Sequence, residues 1–355
     1  MLTRLVLLLL VVCWSAMVLL LVAGRALPRG DQLLFERDND GIRDLWLADV
    51  QRAMTAPLTR TRSAIEEHAQ WSPDGEYIAY AYQRGSATRQ ICVRQPRPSS
   101  IPVCLNAAAY DDDFPRWSPD GAELLLTSIT VEGGRELFRV IPGAQPRIVA
   151  FDISIARDYM WTHDGSHVLY SAQGVLAGTP TGLWLLETAT NDRQFISTTG
   201  TLDWLPHPSP DGASVAFIRI ADTGTSDVFI MPASCLPAPE SCSDQALRLT
   251  HHEAGIFELA WSPNGWQVAY VSNRDGTLDV YSYDLFTQME TLWTPDNRYT
   301  HEDVAFSPAG DALAYISDAG GQYDVYVQPL APGSAPFRLT DGERGLDSWR
   351  PQWRP

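Results

Sequence analysis

The sequence predicts an all-β protein: a seven-bladed β-propeller of four-stranded blades, with the C-terminal strand closing the first blade, behind an N-terminal transmembrane helix. Three observations predict it. A turn-and-strand unit recurs roughly every 45 residues, the C-terminal residues supply what the first unit lacks, and a single apolar run opens the chain.

The apolar run comes first. Residues 5–23, LVLLLLVVCWSAMVLLLVA, are 19 residues with Ser15 as the one clearly polar member. At about 1.5 Å per helical residue they nearly span a hydrocarbon core. A cleaved signal has an apolar region of about 7–15 residues, so an uncleaved signal anchor is the expectation. Residues 1–30 are read as anchor and short linker, and residues 31–355 as one propeller domain. Arg4 and the terminal amine lie on one side of the run, Arg25 and Arg29 on the other, so charge leaves its orientation open.

The repeat follows. Ser262-Pro263-Asn264-Gly265 has the composition of a reverse turn, in which Pro presets φ and Gly accepts the left-handed exit. Gln267 to Ser272 and Leu278 to Leu285, rich in β-branched and aromatic residues, read as strands on either side of the break at NRDGT. Copies of the turn stand at 71 (WSPDG), 117 (WSPDG), 161 (WTHDG), 208 (PSPDG) and 306 (FSPAG), each followed by three strand-like runs. Four strands in this interval make a propeller blade. Residues 32–60 carry the second, third and fourth strands of a blade without an opening strand, and PQWRP at 351–355 begins one, with Trp353 lying 47 residues after Phe306. The C-terminal strand should therefore complete the first blade and leave no sheet edge open.

Trp261 to Leu285, WSPNGWQVAYVSNRDGTLDVYSYDL, resembles the TolB-type propeller repeat, a relative of WD-repeat blades. The resemblance covers residues 31–355. It implies the fold and no single activity, because similar blades occur in periplasmic assembly proteins, in prolyl-oligopeptidase-like enzymes and in sugar-acid lyases. TolB itself has six such blades and a further N-terminal domain, so the resemblance is one of repeat rather than of role.

Composition narrows the partners. Forty-three acidic and 26 basic residues give a formal charge of −17, which opposes binding to nucleic acid. Outside the apolar run there are four cysteines, Cys92, Cys104, Cys235 and Cys242. Three pairings are open to them. The local one, Cys92 with Cys104 on adjacent strands and Cys235 with Cys242 across a short loop, is favoured, and two such pairs point to an oxidising compartment. The expected location is the cytoplasmic membrane, crossed once, with the propeller on the extracytoplasmic side.

Chemistry is thinner. No G-x-S-x-G elbow, H-E-x-x-H sequence or phosphate-binding glycine loop is present. The loops entering the first strand of each blade share one face and carry His68, Asp111, Asp112, Asp113, Asp158, Asp203, Glu258, His301, Glu302 and Asp303. Most stand three to six residues before the aromatic of the repeat, so the ring should gather them at one channel mouth. There they would receive a basic segment of a protein partner, bind Ca²⁺ or another divalent cation, or cap turns through their own backbone. Trp204 and Trp349 lie at the same mouth, as a clamp for a ligand or as packing between blades. Trp71, Trp117, Trp161, Trp261 and Trp353 recur at one repeat position and read as architecture. The expected function is a non-catalytic binding or assembly module of the cell envelope. Resemblance to the lyases implies an alternative: a metal on His251, His252 and His301 that acidifies the carbon beside a uronate carboxylate. The acidic mouth opposes such an anionic substrate. A purely structural envelope component is the third reading.

Overall fold

The computed structural model describes residues 32–355 apart from 106–110, 130–133, 142–146, 152–158, 173–179, 199, 237–241, 243–244 and 341–345. The apolar run at 5–23 and Asp158 lie outside the described residues. Among the described residues no helix is long and apolar enough to cross a membrane.

Seven four-stranded antiparallel sheets form the ring. Blade 1 joins the two ends of the chain: its inner strand is Leu346–Trp353, followed outward by Gln32–Asn39, Ile42–Asp49 and Met54–Pro57. Blades 2 to 7 run continuously, with inner strands Ala64–Trp71, Asp111–Trp117, Tyr159–Trp161, Leu202–Pro208, Ile256–Trp261 and His301–Phe306. The closure is built into the register, where Leu33 faces Trp353 and Asn39 faces Leu346. Beyond it the Arg354 amide donates to the Gln32 carbonyl at 2.9 Å.

Both faces of each sheet are buried, so alternate residues serve opposite neighbours. In blade 2, Ile78 and Tyr80 pack on Leu34, Leu45 and Leu47 of blade 1. Ala79 and Ala81 between them pack on Leu124, Leu126 and Phe138 of blade 3. The recurring tryptophans tie blade to blade. Indole Nε1 of Trp117, Trp161, Trp261 and Trp353 donates to the carbonyl of Gln70, Arg116, His207 and Ala305 on the preceding inner strand, and Trp71 donates to Gln352 across the closure. Each such bond contributes about 1 kcal/mol.

Connectivity gives the ring two faces. The turns from first to second and from third to fourth strand lie on one, the turn face; the remaining connections lie on the other, the mouth face. On the turn face each reverse turn seats on the one before it, Gly121 against Pro73, Gly165 against Pro119 and Gly310 against Pro263. Cys92 pairs with Cys104 across adjacent strands of blade 2, and Cys235 with Cys242 in blade 5. Both local disulfides of the favoured pairing are formed.

Candidate binding site at the channel mouth

Inner strands carry a break in register near their start, between Glu67 and Gln70, Asp113 and Arg116, Trp204 and His207, and Glu302 and Ala305. The extra residue adopts positive φ: His68 (55°), Phe114 (51°), Leu205 (55°), Asp303 (56°) and Arg350 (52°). None is glycine, and the left-handed conformation costs such residues roughly 1–2 kcal/mol each. All five stand three residues before the repeat's aromatic position, as does Glu258. Going round the ring from blade 1, the order is Arg350, His68, Phe114, then after blade 4 Leu205, Glu258 and Asp303. These six line a central cavity of about 510 Å³. Asp158 holds the corresponding sequence position in blade 4.

The two carboxylates of this ring hold the backbone of the next blade. Glu258 accepts from the Val304 amide at 3.2 Å, and Asp303 accepts from the Arg350 amide at 2.9 Å. Across the channel stands Phe114; Leu205 of blade 5 is next to Glu258 in the ring, and Phe257, which is exposed, precedes Glu258 in the chain. The mouth thus combines an apolar wall with a carboxylate pair.

On the side of blades 1 to 3 the acids are neutralised. Glu36 accepts the His68 amide at 2.5 Å and the Arg350 guanidinium at 3.1 Å. Glu67 bonds Arg43 at 2.6 Å and Arg89 at 3.3 Å, and Asp113 bonds both Arg89 and His68 Nδ1. The His68 ring stacks on Phe114 at 3.7 Å. Burial pushes the Asp113 carboxyl up, but the His68 bond and the charges of His68 and Arg89 outweigh it and hold it below the usual range. Glu67, His68 and Asp113 are the one set of three potential ligand groups that converges among the described residues. Arg43 and Arg89 already bind both of its carboxylates, so cationic side chains stand where a metal would have to bind.

The structure redistributes the residues expected from sequence. Asp112, Asp113 and Asp203 are buried in their blades and are not part of an open acidic mouth. Asp203 is bound in a two-pronged pair with Arg219, at 2.7 and 2.9 Å. Asp111 is half buried and accepts from the Arg89 amide at 2.8 Å. Burial raises the Asp112 carboxyl to about 7. Glu258 and Asp303 do line the channel; Glu302, half buried, is not among its lining residues. Trp204 packs in the cluster between blades 5 and 6, Trp349 lies on Tyr323 at 4.5 Å, and neither lines the channel cavity.

The three histidines do not assemble into a ligand set. His301 is buried with Nδ1 on Asp279 at 3.1 Å, and that aspartate also accepts from Thr294. Burial lowers the His301 pKa against the pull of Asp279. His252 instead bonds Glu290 at 3.0 Å, beside Arg274. His251 is exposed. The physical reason is separation by a blade joint: His252 closes the joint of blades 5 and 6, and His301 that of blades 6 and 7.

Sequence reasoning missed Glu36, Glu67, Arg43, Arg89 and Arg350. A signal existed for Arg350, which stands at the same offset before Trp353 as His68 before Trp71. Glu67 likewise stands four residues before Trp71, the offset of Asp113 before Trp117; Glu36, Arg43 and Arg89 lie on or beside second and third strands, away from the motif.

Known proteins share this architecture. The chain is 26% identical to an uncharacterized protein of Agrobacterium fabrum, in a match covering 58% of this chain and 84% of that one. The crystal structure of TolB from Acinetobacter baumannii superposes with a TM-score of 0.52 at 16% identity, over 75% of this chain and 64% of that one, so this chain spans less than two thirds of that TolB. An oligogalacturonate lyase from Vibrio parahaemolyticus superposes with a TM-score of 0.65 at 13% identity, over 86% of this chain and 88% of that one. At such identities the likeness to both structures is one of fold. The model of the TolB beta propeller domain matches residues 161–355, more than half of the sequence, and the chain belongs to that family.

Proposed function

We propose that this propeller is a non-catalytic binding module of the cell envelope, tethered by residues 5–23, that receives a basic or amine-bearing segment of a protein partner at its channel mouth. One observation carries the reading: Glu258 and Asp303 face the central cavity together with Phe114, across the ring, and Leu205, in the blade next to Glu258. Carboxylates beside an apolar wall suit a side chain or terminus with a cationic head and an apolar stem. Family membership supports the reading, since TolB-type propellers are protein-interaction modules. The two local disulfides and the apolar N-terminal run support an extracytoplasmic setting. Against a uronate-directed metal site stand the dispersal of His251, His252 and His301 and the arginines bound to Glu67 and Asp113.

The test places a photo-crosslinking side chain at Phe257 in the full chain in its native membranes. A discrete protein adduct is expected that weakens on raising salt. It should weaken at least tenfold in the Glu258→Gln, Asp303→Asn double variant and persist when His251, His252 and His301 are all alanine. These carboxylate replacements keep an acceptor for the Val304 and Arg350 amides, and Asn tolerates the positive φ of residue 303. No adduct, or one indifferent to the double variant, would overturn the reading.

A further inference from the structure

Large apolar side chains that remain exposed are not spread evenly over the ring. On the third-to-fourth connections or the fourth-strand starts that leave the turn face stand Met54 of blade 1, Ile101 and Val103 of blade 2, Leu247 of blade 5, and Phe286 and Met289 of blade 6. Trp266 sits on a first-to-second turn of the same face. Phe286 is 90% exposed, Ile101 87%, Trp266 66% and Met54 63%. In blade 6 the Leu285 amide bonds the Trp266 carbonyl at 2.9 Å, so the turns bearing Trp266 and Phe286 are adjacent. Isolated exposed apolar groups are ordinary; their concentration on one rim marks a contact surface.

What covers this rim follows from where the chain enters the ring. Gln32 opens the second strand of blade 1 at the turn face, next to Trp353 and Arg354. Only the eight residues 24–31 separate Gln32 from the apolar run at 5–23. Eight residues reach at most roughly 28 Å, about the length of one strand of eight residues. To present the mouth face to the bilayer the tether would have to run outward past the third and fourth strands, about 10 Å, as well as down the length of a strand, which exceeds its reach. We infer that the turn face rests on the membrane that holds residues 5–23, with Trp266 and Phe286 seated at the headgroup level and the channel mouth turned away. This rests on the tether proposed above. Tryptophan is the side chain best suited to that level, apolar in its body and polar at its N–H.

The turns also predict which lipid is preferred. Asp74, Asp120, Asp164 and Asp211 stand on the same face, each accepting from the serine or threonine hydroxyl that opens its turn. Side-chain and backbone bonds hold Asp120, Asp164 and Asp211 below the usual carboxylate range, so they stay charged and repel anionic headgroups. A zwitterionic surface is the better partner.

The experiment uses the full chain reconstituted in phosphatidylcholine vesicles. Flotation after an alkaline carbonate wash reads the tether; tryptophan quenching by phosphatidylcholine with brominated acyl chains reads the seating. Trp14, within the apolar run, contributes a constant background. Trp266→Phe should lose part of the quenched signal and Phe286→Trp should gain it, and both differences should shrink in vesicles rich in anionic lipid. Vesicles that float the protein but show neither difference would overturn the seating and leave the tether standing. Failure to float would overturn both. Protection of Trp266 from aqueous iodide in native membranes, with none in phosphatidylcholine vesicles, would put a protein on this face instead and overturn the proposal.

Discussion

Asp112 of blade 3 and Asp203 of blade 5 occupy the same repeat position, five residues before the repeat's aromatic position, and both are buried. They differ in the residue directly across the strand pair. Asp203 faces Arg219 and is gripped by two of its guanidinium nitrogens, Nε and Nη2. Asp112 faces Ser128, which offers one hydroxyl and no charge. Burial therefore dominates at Asp112 and raises its carboxyl to about 7, and it raises Glu66, the corresponding residue of blade 2, to about 7 as well. An acid at a repeat position thus has no fixed role. Its cross-strand partner decides whether it is half of an ion pair or a carboxyl held neutral.

Breaking the pair in blade 5 should have the largest effect. Arg219→Met keeps most of the packing over Phe229, where the guanidinium lies 4.6 Å from the ring centroid, and leaves Asp203 buried without its counter-ion. A loss of about 3–5 kcal/mol is expected in urea unfolding at pH 7. A loss below about 1 kcal/mol would show that the pair contributes little.

Asp112→Asn should have an effect of opposite sign, no larger than that of Arg219→Met, and one that depends on pH. The folded carboxyl at about 7 lies above the unfolded value near 3.9, so the native state binds the proton more tightly. Stability from this group is fully present below about pH 4, is lost as pH rises towards 7, and is level beyond. The amide has no charge to bury, so the variant should gain up to about 4 kcal/mol over the parent at pH 8 and almost nothing at pH 4. Unfolding midpoints at the two pH values check this; equal differences would mean that burial is not what shifts Asp112. Asp111→Ala, removing a half-buried carboxylate that accepts from the Arg89 backbone amide, should cost only about 0.5–1 kcal/mol at pH 8. The neighbouring aspartates 111 and 112 would then differ in sign and size.

The fold was legible because its signals act locally. A Ser-Pro-Asp-Gly turn is specified by four neighbouring residues, and period-two strands follow at once, so the seven-blade count and the seam at Trp353 could be read from spacing. The Cys92–Cys104 bridge was legible for a similar reason, as it joins adjacent strands 12 residues apart. The channel site was legible only by position. Glu258 and Asp303 could be placed near the mouth, but nothing local distinguishes them from Asp113, whose charge is absorbed by an arginine 24 residues away. Glu36 meets Arg350 across 314 residues, a contact that exists only because the ring closes.

By itself, then, the sequence determined the repeat, the closing strand and the acidic balance, and favoured seven blades and the local disulfide pairing, all of which follow from the nearest residues or from counting. The tertiary structure decided which carboxylates reach the channel, which are spent on arginines, why the histidines stay apart, and which face collects the exposed aromatics. These depend on cross-strand and cross-blade neighbours, and electrostatic character is a property of such neighbourhoods rather than of any residue alone.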